Sequence, residues 1–105
     1  MIEVYHRKQP TFELYDDNDL AEHRQTWAAG GYERVAYVVK PLGEKRDDED
    51  YAFRVTNSID SYWGDNEGVT PGPKAGTYRS TSVGDVVKGS DGTLLICAPA
   101  GWQRL

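Results

Sequence analysis

The chain has 105 residues, 38% hydrophobic and 28% charged, with a formal net charge of −5. One domain of this length buries roughly 65% of the surface its unfolded chain exposes, so a core forms without metals or disulfides, and the single Cys excludes an internal disulfide. No apolar run approaches the ~20 residues that span a bilayer, the N-terminus is neither a signal nor a transit peptide, and a small, soluble, cytoplasmic protein is expected.

Taken in chain order, Ile2 to His6 alternates apolar and polar residues and predicts an edge-type strand. An exposed edge there would also allow two copies to pair, so a monomer or weak homodimer is expected. Thr11 to Tyr15 is a weaker strand candidate. Asp19, with Glu22 three residues on, has capping-box spacing and predicts a helix over about Leu20 to Ala29. Gly30-Gly31 ends it, and Leu20, Trp27 and Ala28 form its buried stripe. Tyr32 to Lys40, apolar on both faces, reads as a central strand stopped by Pro41.

Tyr51 to Trp63 fits both period two and helical spacing; the acids at 47 to 50 and Gly64 favour a helix. Gly64 to Gly76 reads as a long Gly/Pro-rich loop. Asp85 to Lys88 and Thr93 to Ala98 flank Gly89-Ser90-Asp91-Gly92 and predict a C-terminal β-hairpin, with Trp102 to Leu105 as a short last strand. The expected fold is a single α+β domain over residues 1–105, with a mainly antiparallel sheet, one or two short helices and a C-terminal hairpin.

Charge is uneven. Residues 1–67 hold 15 Asp and Glu against 8 Lys and Arg, whereas residues 68–105 hold 2 against 4. A net negative chain disfavours broad binding to nucleic-acid phosphates, which needs clustered cations, and equally a peripheral membrane role. The acidic part reads either as solvated loops or as a face presented to a basic partner.

No pattern names a reaction. The acids at 17 to 28 and at 47 to 50 lack the Gly and terminal Glu of a calcium loop, which leaves weak surface binding of Ca²⁺ or Mg²⁺. His6, His23 and Cys97 are too scattered for a zinc motif. Cys97, within Leu94-Leu95-Ile96-Cys97-Ala98, reads as core filler, and the two histidines as surface residues without a neighbouring nucleophile. Phosphate-binding glycine loops and the nucleophile elbow are absent from the sequence. No catalytic residue, metal or cofactor is therefore expected.

Two segments stand out. Tyr62-Trp63 reads as an aromatic anchor before the Gly/Pro loop or as a core Trp beneath it. Tyr78 to Val87 is rich in hydroxyls, with Arg79, Ser80, Ser82 and Asp85 as binding candidates; the same residues suit a turn whose side chains satisfy backbone groups.

Arg79-Ser80-Thr81-Ser82-Val83-Gly84-Asp85-Val86-Val87 resembles the Arg-Ser-Leu-Ser-Val-[Ser/Gly]-Asp-Val-[Ile/Val] signature of the YodL-like family. Tyr32-Glu33-Arg34-Val35-Ala36-Tyr37, the segment with Phe53 and Asn57, and Ala100-Gly101-Trp102 are similar to further family elements in the same order. Trp102 stands where the family tends to have an aromatic and joins the candidate binding residues. Thr81 replaces the usual Leu, and the Gly/Pro loop is expanded. The resemblance implies a small bacterial module common on plasmids and phages, with no activity to carry over. Three readings follow. The first is a non-enzymatic protein-interaction module of a mobile element, with another protein as partner. The second is an acidic decoy of a DNA-binding or host-defence protein, with carboxylates spaced like phosphates, about 6–7 Å apart. The third is a small ligand-binding domain or enzyme using residues 79–85.

Overall fold

The computed structural model describes residues 1–9, 19–58 and 61–105. The candidate strand at Thr11 to Tyr15 lies outside them. Six strands form one antiparallel sheet: β1 (Ile2–Arg7), β2 (Tyr32–Val38), β3 (Val69–Pro71), β4 (Val86–Lys88), β5 (Leu94–Ala98) and β6 (Gly101–Arg104), in the order β3-β2-β1-β4-β5-β6. Among the described residues, two α-helices complete the α+β domain, α1 (Asp19–Ala28) and α2 (Asp48–Val55).

The expected edge strand Ile2 to His6 is in fact interior, paired with β2 on one side and β4 on the other. Local pattern could not show this, because β4 arrives from about 80 residues away. Pairing of two copies through this strand is thereby excluded. Among the described residues, the edges are β3 and β6.

A bulge explains why β2 is apolar on both faces. Val4 pairs with Ala36 and Tyr5 with Arg34, leaving Val35 as the extra residue. Val35 and Ala36 are consecutively buried, and the Val35 carbonyl accepts a bond from the Gly72 N–H at 2.8 Å.

Helix α1 ends as the sequence predicts. Gly30 takes φ +77°, its N–H donates to the Trp27 carbonyl, and the Gly31 N–H donates to the Thr26 carbonyl at 2.8 Å. This double closure needs a left-handed residue, which Gly supplies without strain. The buried stripe differs from expectation: Ala28 is exposed, and His23 is buried instead.

Helix α2 begins earlier and ends sooner than the Tyr51 to Trp63 reading. Asp48, Glu49 and Asp50 occupy its first turn, where negative charge suits the helix dipole. Thr56 caps its end, and its N–H and hydroxyl both donate to the Ala52 carbonyl. The Gly/Pro stretch is more ordered than a plain loop: a single 3-10 turn at Trp63–Asp65 and strand β3 fall at its start and middle. The Tyr62 and Tyr78 hydroxyls each accept a backbone N–H from it, at Gly76 and Lys74.

The core has two faces. Ile2, Val4, Ala36, Val38 and Val87 pack under Ala52 of α2 and Trp63. Tyr32, Val86 and Ile96 pack with Leu20 and Trp27 of α1. The C-terminal segment forms two successive hairpins, β4–β5 and β5–β6, the second turning through Pro99 and Ala100. Among the described residues, no helix is long and apolar enough to cross a membrane.

Candidate functional site

The 79–85 segment closes on itself around Asp85. Gly84 takes φ +92°, the Asp85 N–H donates to the Ser82 carbonyl at 3.0 Å, and the turn is tied to β5 through Gly84 N–H to Cys97 C=O and Cys97 N–H to Asp85 C=O. The Asp85 side chain is 1% exposed. Its Oδ1 accepts from the Arg7 N–H at 2.9 Å and from Arg79 Nη2 at 2.8 Å. Its Oδ2 accepts from Arg79 Nη1 at 2.6 Å and from the Ser82 N–H at 2.8 Å. This is a fork-to-fork ion pair with both oxygens doubly engaged, so no lone pair is directed at a ligand.

The other candidates of this segment are partly exposed and also bonded within the protein. Arg79 Nη1 also donates to the Ser80 carbonyl and to Ser82 Oγ. The Ser80 hydroxyl accepts the Ser58 N–H at 2.9 Å. Trp63, expected as a surface anchor in one reading, is wholly buried, and its indole N–H donates to the Arg79 carbonyl at 2.9 Å. It therefore belongs to the core and presents nothing to a partner. Tyr62 is half-buried against it, with ring centroids 5.4 Å apart.

Both histidines, expected on the surface, are buried. The signal was available: His6 shares its strand face with Ile2 and Val4, and His23 lies at helical spacing from Leu20 and Trp27. His6 Nε2 lies 2.9 Å from Thr81 Oγ1, which lies 2.7 Å from Thr56 Oγ1. Thr56 gives its hydroxyl proton to the Ala52 carbonyl, so Thr81 donates to Thr56 and His6 donates to Thr81. The ring nitrogen facing Thr81 is thus a donor and cannot take a proton from that hydroxyl. Burial pushes the His6 pKa down to about 4, against the opposing pull of Asp85. His23 Nδ1 accepts from Arg7 Nη1 at 2.7 Å, while Arg7 also grips Glu22. The whole network fastens the end of β1, α1 and the 79–85 turn to one another.

Cys97 is 7% exposed, and burial raises its thiol to about 11, as core filler requires. The carboxylates of Asp47, Glu49 and Asp50 lie within 4.8 Å of one another at the surface. They crowd the first turn of α2, where helix polarity alone accounts for acids.

One polar surface lies where α2 meets β6. Trp102 is partly buried against the core; its indole N–H donates to Asp50 Oδ1 at 3.0 Å, and its ring meets Phe53 edge-on with centroids 6.2 Å apart. Beside it, an open cleft of about 530 Å³ runs between the start of α2 and the β4–β5 turn, bordered by Lys40, Asp47, Asp48, Glu49, Asp91 and Arg104. Lys40 holds Asp48 at 2.8 Å and keeps its carboxyl down at about 2.

No family model, curated protein or solved structure matches the chain.

Proposed function

We propose that this chain is a non-enzymatic, cytoplasmic protein-interaction module, of the kind that the YodL-like resemblance places on bacterial plasmids and phages. Its docking face is the ledge formed by Trp102, Phe53 and the acidic start of α2. The observation that carries this reading is Trp102 itself. It is a large amphipathic ring, partly buried against the core with the remainder at the surface, fixed in orientation by Asp50 and backed by Phe53. Rigid aromatics of this sort dominate binding energetics because they offer area at low entropic cost. The enzyme reading loses its motivation, since Asp85 and its neighbours are taken up by the turn and by Arg79. The decoy reading requires a row of carboxylates, whereas Asp47, Glu49 and Asp50 form a patch within 4.8 Å.

The test is affinity capture of tagged protein from nuclease-treated bacterial lysate at two salt levels. One stoichiometric partner is expected, with affinity falling at least ~10-fold on Trp102→Ala, the loss typical of a hot-spot aromatic, and unchanged on Leu42→Ser at a fully exposed site. Failure to capture any saturable partner, or capture indifferent to Trp102→Ala, contradicts the proposal.

A further inference from the structure

We infer that the outer edge of β6 receives an extended, basic segment of another protein as a seventh strand of the sheet. This rests on the interaction-module reading and specifies its partner.

The ladder fixes which backbone groups face outward. Leu105 N–H donates to the Leu94 carbonyl at 3.0 Å, and Leu95 is registered with Arg104. In an antiparallel pair, hydrogen-bonded and non-bonded pairs alternate. Gln103 and Gly101 therefore bond to Ile96 and Ala98, whereas the N–H and C=O groups of Trp102 and Arg104 point away from β5. Arg24 reaches the Arg104 carbonyl at 3.4 Å; among the described residues, the Trp102 N–H and C=O and the Arg104 N–H have no hydrogen-bond partner and can direct a strand. Among the described residues, β6 has a strand neighbour on the β5 side alone. The opposite edge is less suited: β3 has three residues and ends in Pro71, which lacks an N–H.

The chemistry of the occupant follows from what borders that edge. Trp102 and Arg104 are two apart and share the face covered by α2, because Trp102 contacts Phe53 and Asp50. An added strand would send alternate side chains to that same face. There they meet Asp47, Glu49 and Asp50, with Asp91 across the cleft, opposed by Arg104 and by Lys40, which is already paired with Asp48. The excess is negative, so lysines or arginines at alternate positions complement it, and acidic residues are repelled. A second copy fits less well. Two-fold pairing of β6 edges leaves both α2 helices on one side of the joined sheet and brings two acidic helix starts toward each other.

The probe is the capped heptapeptide Thr-Lys-Val-Lys-Val-Lys-Thr, compared with its Glu-for-Lys counterpart, titrated into the full chain and followed by backbone amide shifts. The largest shifts are expected at Trp102 and Arg104, with the lysine peptide binding at least ~10-fold tighter than the glutamate one. Arg104→Pro removes the outward N–H and is expected to lower affinity at least ~10-fold relative to Arg104→Ala. Should Arg104→Pro unfold the chain, Asp47→Lys with Glu49→Lys provides the second arm and is expected to reverse the peptide preference. Equal binding of both peptides, indifference to Arg104→Pro in a folded variant, or no shift at millimolar peptide overturns the inference. So does a concentration-dependent dimer that Arg104→Pro dissolves, which would make a second copy the occupant. The same variants in lysate capture separate the two levels. A partner lost on Trp102→Ala but retained on Arg104→Pro leaves the module reading intact and removes strand addition. No partner at all removes the module reading itself.

Discussion

Replacing Asp85 by Ala is expected to destabilise the fold by about 3–5 kcal/mol, the range for breaking a buried ion pair by removing one partner. The loss has identifiable parts. Arg79, whose side chain is 27% exposed, loses both of its carboxylate bonds. The Arg7 and Ser82 N–H groups lose their acceptor. Unmade bonds at buried donors cost more than the bonds contributed when formed. A domain of this size has roughly 5–15 kcal/mol in total, so the variant is expected to be largely unfolded at moderate temperature. Arg79→Lys keeps the charge but not the planar fork, and a smaller loss is expected. The double change Arg79→Leu with Asp85→Leu is expected to recover part of the stability lost by Asp85→Ala, because no uncompensated charge remains. Urea unfolding of the three variants checks this. An Asp85→Ala protein as stable as the parent would mean that the carboxylate is not structural.

The second large effect is a loss of stability in mild acid. His6 titrates at about 4 when folded and at 6.5 in the reference state. Above pH 6.5 both states hold it neutral and it contributes no pH dependence. Between pH 6.5 and 4 the unfolded chain binds a proton that the folded chain refuses, so stability falls as pH falls. At 1.36 kcal/mol per unit the loss approaches about 3 kcal/mol by pH 4. Glu22 and Asp48, held below their ordinary ranges by Arg7 and Lys40, add their own losses only below about pH 4.5. The window from 6.5 to 4.5 therefore lies above these carboxylate losses, and comparison with a His6→Gln variant isolates the His6 part. His6→Gln is expected to reduce the slope of the stability profile there, whatever it does to absolute stability. An unchanged slope in that variant would contradict the account.

Local chemistry was legible where it is governed by neighbours in the chain. Gly30-Gly31 ended α1 where expected, and Gly89 to Gly92 gave a turn between two strands. The acids at 47 to 50 marked a helix start, though the helix stopped at Thr56, whose hydroxyl finds its partners in Ala52 and Thr81. Strand order was not legible, because β1 gains its second neighbour from β4, far along the chain. Burial of polar groups was legible in pattern but read against prior expectation. His6 falls in register with Ile2 and Val4, and only tertiary contact shows how its polarity is satisfied. Thr81, the departure from the family-like signature, is the residue that accepts the His6 bond. Arg79, Ser82 and Asp85 are neighbours in the sequence, and in the fold Asp85 joins Arg79 and the Ser82 and Arg7 N–H groups, while the Ser80 hydroxyl binds the Ser58 N–H. Trp102 is marked in the sequence only by its place in the resemblance; its setting against Phe53 and Asp50 depends on about 50 intervening residues folding back.

Amide hydrogen exchange along β6 tests the central claim most directly. The account predicts that the Gln103 and Leu105 amides, bonded to β5, exchange slowly, while those of Trp102 and Arg104 exchange at rates near those of exposed backbone. Adding the partner is expected to protect Trp102 and Arg104 selectively. Slow exchange at all four positions in the free protein would mean that the edge is already covered, and would contradict both the docking face and the added strand.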